Sequence, residues 1–174
     1  MSLIKPLESV RSNRLMPALL DRLTDHKPLE RNETAQQRMV SKRDYRQSVL
    51  RDLSWLLNTI NAESTSDFSV AEHARRSVTN FGILALSGRQ MANDDWADVE
   101  AAIRLAITTF EPRILPQTLR IRMLPMETQY ATRNQLSMEI KGQLWSEPYP
   151  IDLLLSSHID METGQIVLED GSRA

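Results

Sequence analysis

The sequence predicts an α+β fold: an antiparallel β-sheet of three to four strands covered by two main helices, with a flexible N-terminal arm that carries a short helix. Two patterns support this prediction. Apolar residues recur every three or four positions between residues 41 and 110, as on one face of a helix, and every second position after residue 119, as on one face of a strand. We expect an arm at 1–40, one domain at 41–170 and a tail at 171–174.

The arm is predicted from its polarity and from one short apolar segment. Leu19, Leu20 and Leu23 share one side of a helix expected at about residues 16–24. A helix of about two turns is marginal on its own, so it needs to dock on the body of the protein or on another subunit. The stretch 24–39 holds hardly any apolar residues, which predicts a mobile linker.

Two long helices are predicted from apolar stripes. Ser41 is placed to cap the first, over about 42–60, and Asn93 or Asp94 to cap the second, over about 94–110. The expected buried residues are Tyr45, Val49, Leu53, Leu56 and Ile60 in the first helix, and Trp96, Val99, Ile103, Ala106 or Ile107, and Phe110 in the second.

Other side chains of the first helix lie off its apolar stripe. Trp55 is expected either at the edge of the core or against a partner. Three arginines alternate with acidic residues on the opposite side: Arg43, Arg46 and Arg51. A mixed pattern of this kind is more typical of a solvated face than of a nucleic-acid surface.

The sheet is predicted from alternating apolar and polar residues. The alternating apolar residues are Leu119, Ile121 and Met123, then Leu136, Met138 and Ile140, then Ile151, Leu153 and Leu155. Gly142 suggests a β-bulge in the second strand. A short hairpin over 159–166, with Gly164 supplying a positive φ, adds the last strand. The simplest arrangement is an antiparallel meander.

Composition limits the possible functions. Apolar residues make up 41% and charged residues 25% of 174 residues, which is ordinary globular usage. Residues 1–60 hold 11 Lys and Arg against 7 Asp and Glu, whereas residues 61–174 hold 10 against 16, which suggests separate surfaces for separate partners. The net charge of −2 gives no argument for nucleic acid. Without an apolar run of 18 residues or a signal-peptide pattern, we expect a soluble, cytoplasmic protein with no direct membrane insertion.

Catalytic and metal-binding patterns are weak throughout the chain. Cysteine is missing and the three histidines, His26, His73 and His158, stand in unrelated contexts. Neither of the common glycine-rich phosphate-binding motifs occurs. Ser156 is close to His158 along a strand, where the two side chains are poorly directed for catalysis. We predict no cofactor, no metal and no small-molecule substrate.

Peptidoglycan hydrolysis is the enzymatic alternative. A glycosidase needs two carboxylates about 5–10 Å apart. Glu111 could be one, and Glu127, Glu139 or Asp152 the other, but the spacing selects no pair among 23 acidic residues. A carboxylate followed by Pro-Arg is also better suited to an ion pair than to the raised pKa of a general acid.

The segment Phe110-Glu111-Pro112-Arg113 joins the helical and strand halves of the chain. Pro112 lacks a backbone N–H and disfavours helical geometry at the preceding residue, so the second helix is predicted to end here. Glu111 then lies at a helix C-terminus, where an anion is disfavoured by up to about 1 kcal/mol. This position indicates either a compensating cation, within the fold or on a partner, or a carboxylate that is simply solvated.

Four segments in order resemble the family of contractile-tail baseplate wedge proteins, whose phage members were long called lysozyme-like. The resemblance is closest to the TssE branch from type VI secretion systems and covers about residues 15–170. The segments are LLDRLTD at 19–25, LRDLSWLLNT at 50–59, VTNFG at 78–82 and FEPR at 110–113. Phe81 stands where the family commonly has tyrosine.

This resemblance implies a structural role. TssE-like proteins join the wedge proteins TssF and TssG, with TssK as a further candidate partner, to the TssB/TssC sheath, and their core offers strand edges on which the first sheath ring polymerises. The resemblance implies partner contacts by Glu111, Pro112 and Arg113 at the sheath junction. It also implies that Leu19, Leu20, Asp21, Arg22 and Leu23 bind a wedge partner. The expected location is the cytoplasmic face of the inner membrane.

We therefore expect a non-enzymatic baseplate component that nucleates sheath polymerisation. The alternatives are a peptidoglycan hydrolase and a free regulatory protein-binding module of the same fold. The tethered helix at Leu19–Leu23 argues against the free module, because such a helix needs a surface on which to dock.

Overall fold

A computed structural model describes residues 15–24, 40–86, 95–124 and 135–171. Its helices are α1 (Leu19–Leu23), α2 (Lys42–Leu57), α3 (Glu72–Arg75) and α4 (Asp95–Phe110), with short 3₁₀ turns at Ala62–Ser64, Val78–Asn80 and Pro116–Thr118. Its strands are β1 (Arg120–Leu124), β2 (Gln135–Leu144), β3 (Ile151–Asp160) and β4 (Ile166–Asp170). The α+β prediction is confirmed.

The four strands form one antiparallel sheet in the order β1-β2-β3-β4, which confirms the predicted meander. The register pairs Ile121 with Ile140, Ile140 with Leu155, and Ile159 with Ile166. Because side chains alternate across a strand, this register places the apolar residues of all four strands on one face. The other face carries mainly polar side chains.

Helices α2 and α4 cover the apolar face, α2 on the β4 side and α4 on the β1 side. Apart from Ile60, their predicted stripes are buried or half-buried, with Val49, Leu53, Ile103 and Ile107 at most 1% exposed. Ser41 caps α2 by accepting a hydrogen bond from the Asp44 amide at 3.1 Å. The sequence pattern therefore identified which side of each helix forms the core.

Helix α2 ends at Leu57, three residues before the predicted end. The side-chain amide of Asn58 donates to the Ile166 carbonyl of β4, and its oxygen accepts from the Ile166 amide, both at 2.8 Å. The prediction that Ile60 is buried is wrong: it lies beyond the end of the helix, forms a parallel bridge with Ile83 and is 61% exposed. Contacts with distant parts of the chain thus end this helix, and local periodicity does not show them.

The bulge predicted at Gly142 is wrong. Gly142 pairs directly with Leu153, and the β2–β3 ladder is regular from Gln135 to Leu144. The segment just before β1 bonds to the part of β2 that β1 does not reach. The Leu115 amide donates to the Gln143 carbonyl at 2.8 Å, and the Gln143 amide donates to Thr118 Oγ1 at 2.9 Å.

The positive φ predicted at Gly164, in the β3–β4 turn, is confirmed at 74°.

The N-terminal helix is shorter than expected and is anchored differently. α1 spans only Leu19–Leu23, and none of its residues is buried. Leu15, just before it, is 3% exposed and belongs to the core. The predicted linker lies outside the described residues from position 25 onward, as do the predicted caps Asn93 and Asp94.

Gly82 makes a close backbone turn next to this core. Its φ is 122°, and a Cβ added to it would lie 2.3 Å from the Thr59 carbonyl oxygen. That oxygen accepts a hydrogen bond from the Ile83 amide at 2.9 Å, which holds the connection after α2 against the segment before α4. Only glycine fits this position without strain.

We predict that Gly82→Ala lowers the free energy of unfolding by about 2–4 kcal/mol, because it adds both a positive-φ penalty and a backbone clash. Urea denaturation followed by circular dichroism measures the change. Gly142→Ala is the matched control: its added Cβ would meet Ile114 at an ordinary 3.4 Å. We expect its effect to stay within about 1 kcal/mol. Equal losses from both substitutions would contradict this account.

Candidate functional site

The Glu111–Arg113 segment lies where α4 ends and the sheet begins. The Glu111 amide makes the last helical hydrogen bond, to Ile107 at 2.9 Å, and the chain then turns at Pro112. The Arg113 carbonyl accepts from the Trp145 amide at 2.7 Å, which ties the segment to the connection between β2 and β3. The predicted helix end is therefore confirmed.

Glu111 is buried and paired with Arg113. Its side chain is 4% exposed. Arg113 Nε donates to Glu111 Oε1 at 2.7 Å and Arg113 Nη2 donates to Oε2 at 2.5 Å, and the Arg113 amide adds a bond to Oε1 at 3.2 Å. The compensating cation is thus Arg113, within the fold, and the solvated alternative is wrong.

Arg113 also reaches across to helix α2. Its Nη2 donates to Asp52 Oδ2 at 2.6 Å and its Nη1 to Ser48 Oγ at 3.1 Å. Burial by itself lowers the pKa of the Arg113 guanidinium, but hydrogen bonds and charges from Glu111, and then from Asp52, outweigh burial and raise this pKa. Arg113 therefore stays charged and joins the end of α4 to α2.

The pairing continues from α2 to α1. Arg51 Nε donates to Asp52 Oδ1 at 2.9 Å, and Arg51 Nη1 donates to Asp21 Oδ1 at 2.5 Å. Hydrogen bonds from Asp21 and then from Asp52 are the largest causes that raise the Arg51 pKa. We call the five side chains Asp21, Arg51, Asp52, Arg113 and Glu111 the ion network. It connects the N-terminal helix to the segment after α4.

An open cleft of ≈ 500 Å³ lies beside the ion network. Its apolar lining residues are Ala18, Leu19, Trp55, Leu56, Phe81, Phe110 and Pro112. Trp55 is 52% exposed, and the Arg51 guanidinium lies over its ring, 5.3 Å from the ring centre, so about half of its surface is open to solvent beside the cleft. Pro112 is exposed, whereas its neighbours are paired.

The structure thus brings the two sets of predicted partner-binding residues to one region. Sequence reasoning missed Ser48, Arg51 and Asp52 as members of it, and it assigned Arg46 and Arg51 to a solvated face. Arg46 Nη2 instead pairs with Asp170 Oδ1 at 2.9 Å. Their positions in the sequence could have indicated this role. Ser48 and Asp52 are four residues apart and border the apolar stripe of α2, so both lie on the side of the helix near the core, one turn apart.

Other candidate chemistry finds little support in the described part of the chain. No group of three His, Asp or Glu side chains there could hold a metal ion. His158 Nδ1 lies 3.3 Å from Ser137 Oγ on the neighbouring strand, not against Ser156. None of the described helices is long and apolar enough to cross a membrane.

A comparison with protein families found one family whose profile matches most of the residues around the Glu111–Arg113 segment. The profile of the family described as baseplate wedge protein gp25 matches residues 43–149. The matched part begins in the first turn of α2, includes α4 and the Glu111–Arg113 segment, and ends between β2 and β3. Comparisons with curated proteins and with solved structures each gave no match.

We predict that Arg113→Met lowers the free energy of unfolding by about 3 kcal/mol, because it leaves the Glu111 carboxylate buried without its cation. The double variant Glu111→Leu/Arg113→Met removes both charges, so we expect it to be more stable than Arg113→Met. Chemical denaturation of both variants and of the wild type measures this difference. A double variant less stable than Arg113→Met would show that the buried pair is not the dominant interaction.

Proposed function

Because the chain belongs to the baseplate wedge protein gp25 family, we propose that it is the TssE-type baseplate subunit of a type VI secretion system. In this role it joins the wedge proteins TssF and TssG to the TssB/TssC sheath and nucleates sheath polymerisation, with TssK as a further partner. The family supplies the baseplate role, and the LLDRLTD and RDLSWLLN segments favour the TssE branch. Assembly would take place at the cytoplasmic face of the inner membrane.

The observation that carries this proposal is the paired Glu111–Arg113 segment. Glu111 is almost fully buried, so it would act through Arg113 rather than by touching a partner itself. Pro112 is exposed between the two paired residues. We infer that Pro112 and the outer edge of Arg113 form the contact at the sheath junction, and that Glu111 holds them in place.

Strand addition at the sheath junction would involve an edge strand, and both edges are partly occupied in the free chain. On β1, the Met123 amide donates to Glu100 Oε1 at 2.7 Å. On β4, the Asn58 side chain hydrogen-bonds to both the amide and the carbonyl of Ile166. Side chains of this kind protect a free edge from unwanted pairing. An incoming sheath strand would displace one of them or pair beside it.

The N-terminal part supports a second contact. Leu19 and Leu23 are 70% and 73% exposed, although they are apolar and belong to a helix attached to the body. Exposed apolar side chains grouped in this way are typical of a protein–protein interface. We propose that Leu19, Leu20, Asp21, Arg22 and Leu23 contact a wedge subunit, whereas the Glu111–Arg113 segment serves the sheath.

We also propose that the protein has no catalytic activity. Both oxygens of Glu111 accept hydrogen bonds from Arg113, and its side chain is buried, so it is poorly placed to protonate a glycosidic oxygen. A turbidity assay on purified cell walls tests the hydrolase alternative directly, and clearing by the wild type that Glu111→Gln abolishes would favour that alternative.

We predict that a tagged wild-type chain, co-expressed with the neighbouring wedge and sheath subunits, recovers both. The Leu19→Ser/Leu23→Ser variant is expected to recover at least tenfold less of the wedge proteins than the wild type, because it removes exposed apolar area without changing the core. Glu111→Gln, which is isosteric, is expected to keep the wedge proteins and lose the sheath. Quantitative mass spectrometry of the recovered proteins measures both effects.

The matched control for the leucine variant is Val70→Ser/Val78→Ser, which changes two other exposed apolar residues, 94% and 82% accessible. It should recover both partners as the wild type does. Thermal unfolding of every variant shows whether its fold is intact. A folded wild-type chain that recovers neither partner would overturn the proposed function and favour the free-module alternative.

A further inference from the structure

Helix α1 is attached to the body by its polar side. Asp21, in the middle of the helix, pairs with Arg51 of α2 at 2.5 Å, while Leu19, Leu20 and Leu23 are 70%, 44% and 73% exposed. An amphipathic helix ordinarily buries its apolar side and leaves its polar side in water. The orientation of α1 is the reverse, so an interaction must hold it there against the hydrophobic effect.

Few contacts within the described residues hold α1 to the body. A helix of five residues is far shorter than the roughly 12–15 residues that an isolated helix needs to be marginally stable. Leu15 anchors the chain before the helix: its side chain is 3% exposed, and its carbonyl accepts from the Val40 amide at 3.3 Å. Leu15 fixes the position of the chain but not the rotation of the helix that follows. In the part of the chain that the structure describes, the Asp21–Arg51 ion pair is the side-chain contact between α1 and α2 that can fix this rotation.

Arg51 is well suited to this task because it is itself fixed on several sides. Its Nε is held by Asp52 Oδ1, and its guanidinium lies over the Trp55 ring at 5.3 Å. Asp52 is in turn held through its other oxygen by Arg113 at 2.6 Å. The guanidinium therefore offers Asp21 a donor whose direction is already set, at little further cost in side-chain entropy.

We propose that Arg51 is a positioning residue that clamps α1 through Asp21, so that Leu19, Leu20 and Leu23 form a preformed, exposed apolar ridge, with Leu19 at the rim of the cleft. This inference rests on the proposed function, because it names the device that presents α1 to its wedge partner. The ridge fits an apolar groove on that partner. Holding the helix in place before binding reduces the entropy lost on association.

Amide hydrogen exchange of the full chain tests the clamp without any partner. The amides of Arg22 and Thr24 bond to the carbonyls of Ala18 and Leu20, both at 3.0 Å, and report directly on α1. Asp21→Asn and Arg51→Gln are expected to speed exchange at these amides about fivefold, the size typical of a partly exposed ion pair. Exchange in the core strands should not change.

Two matched variants control for the loss of a charge: Arg43→Gln on the exposed side of α2 and Asp98→Asn on the exposed side of α4. Both should leave α1 exchange unchanged. Arg51→Lys keeps the charge and should restore part of the protection. Salt at 1 M should speed α1 exchange in the wild type but not in Arg51→Gln, since salt screens a partly exposed pair.

Equal exchange rates at the Arg22 and Thr24 amides in Arg51→Gln, Arg43→Gln and the wild type would overturn the inference. This holds whether these amides are protected or not. Recovery of wedge proteins with the same variants separates this inference from the proposed function. Faster exchange together with weaker recovery would support both. Faster exchange with full recovery would support the clamp and contradict the role of α1 in wedge binding.

Discussion

The burial of Glu111 against Arg113 is the interaction on which the rest of the site depends. A carboxylate at the C-terminus of a helix is disfavoured by the helix dipole, and its burial adds a desolvation cost of several kcal/mol. Two hydrogen bonds from the Arg113 guanidinium offset both effects. Arg113 is itself partly desolvated, and it forms a second ion pair with Asp52, which links α2 to the same site. Through Arg51 the arrangement extends to Asp21, so the ion pairs that begin at one buried carboxylate connect three chain segments: α1, α2 and the segment after α4.

Most of the fold could be predicted from the sequence because its signals are local. The apolar residues of α2 and α4 recur at helical spacing, and those of the strands alternate, so each segment indicates its own buried side. The predictions that differed depend on distant partners. Helix α2 ends early because Asn58 bonds to Ile166. β2 passes Gly142 without a bulge because residues 114–118 continue its pairing, a contact that spacing within β2 does not reveal.

The site could be predicted only in part, for a related reason. Pro112 and the helix dipole marked Glu111 as an acid in an unfavourable position, but they left open whether a cation or solvent compensates it; the structure gives that role to Arg113. Asp52 is 61 residues from Arg113, and nothing in a chain with 23 acidic residues selects it. The orientation of α1 was beyond reach as well, because arguments from amphipathic spacing assume that the apolar side of a helix is the side that docks.

The order of residues in the motif follows from this geometry. In a continuous helix, residues two apart point to nearly opposite sides, so Glu111 and Arg113 could not meet. Pro112 ends the helix between them, and the chain then turns so that the Arg113 side chain comes back over the carboxylate that precedes the proline. The same turn leaves Pro112 exposed at its tip. An acid, a proline and an arginine in direct succession thus form a compact unit whose two charged residues hold the structure and whose central residue is available to a partner. Replacing either charged residue changes both stability and the presented surface, so the two effects can be separated only with substitutions that keep the shape of the pair.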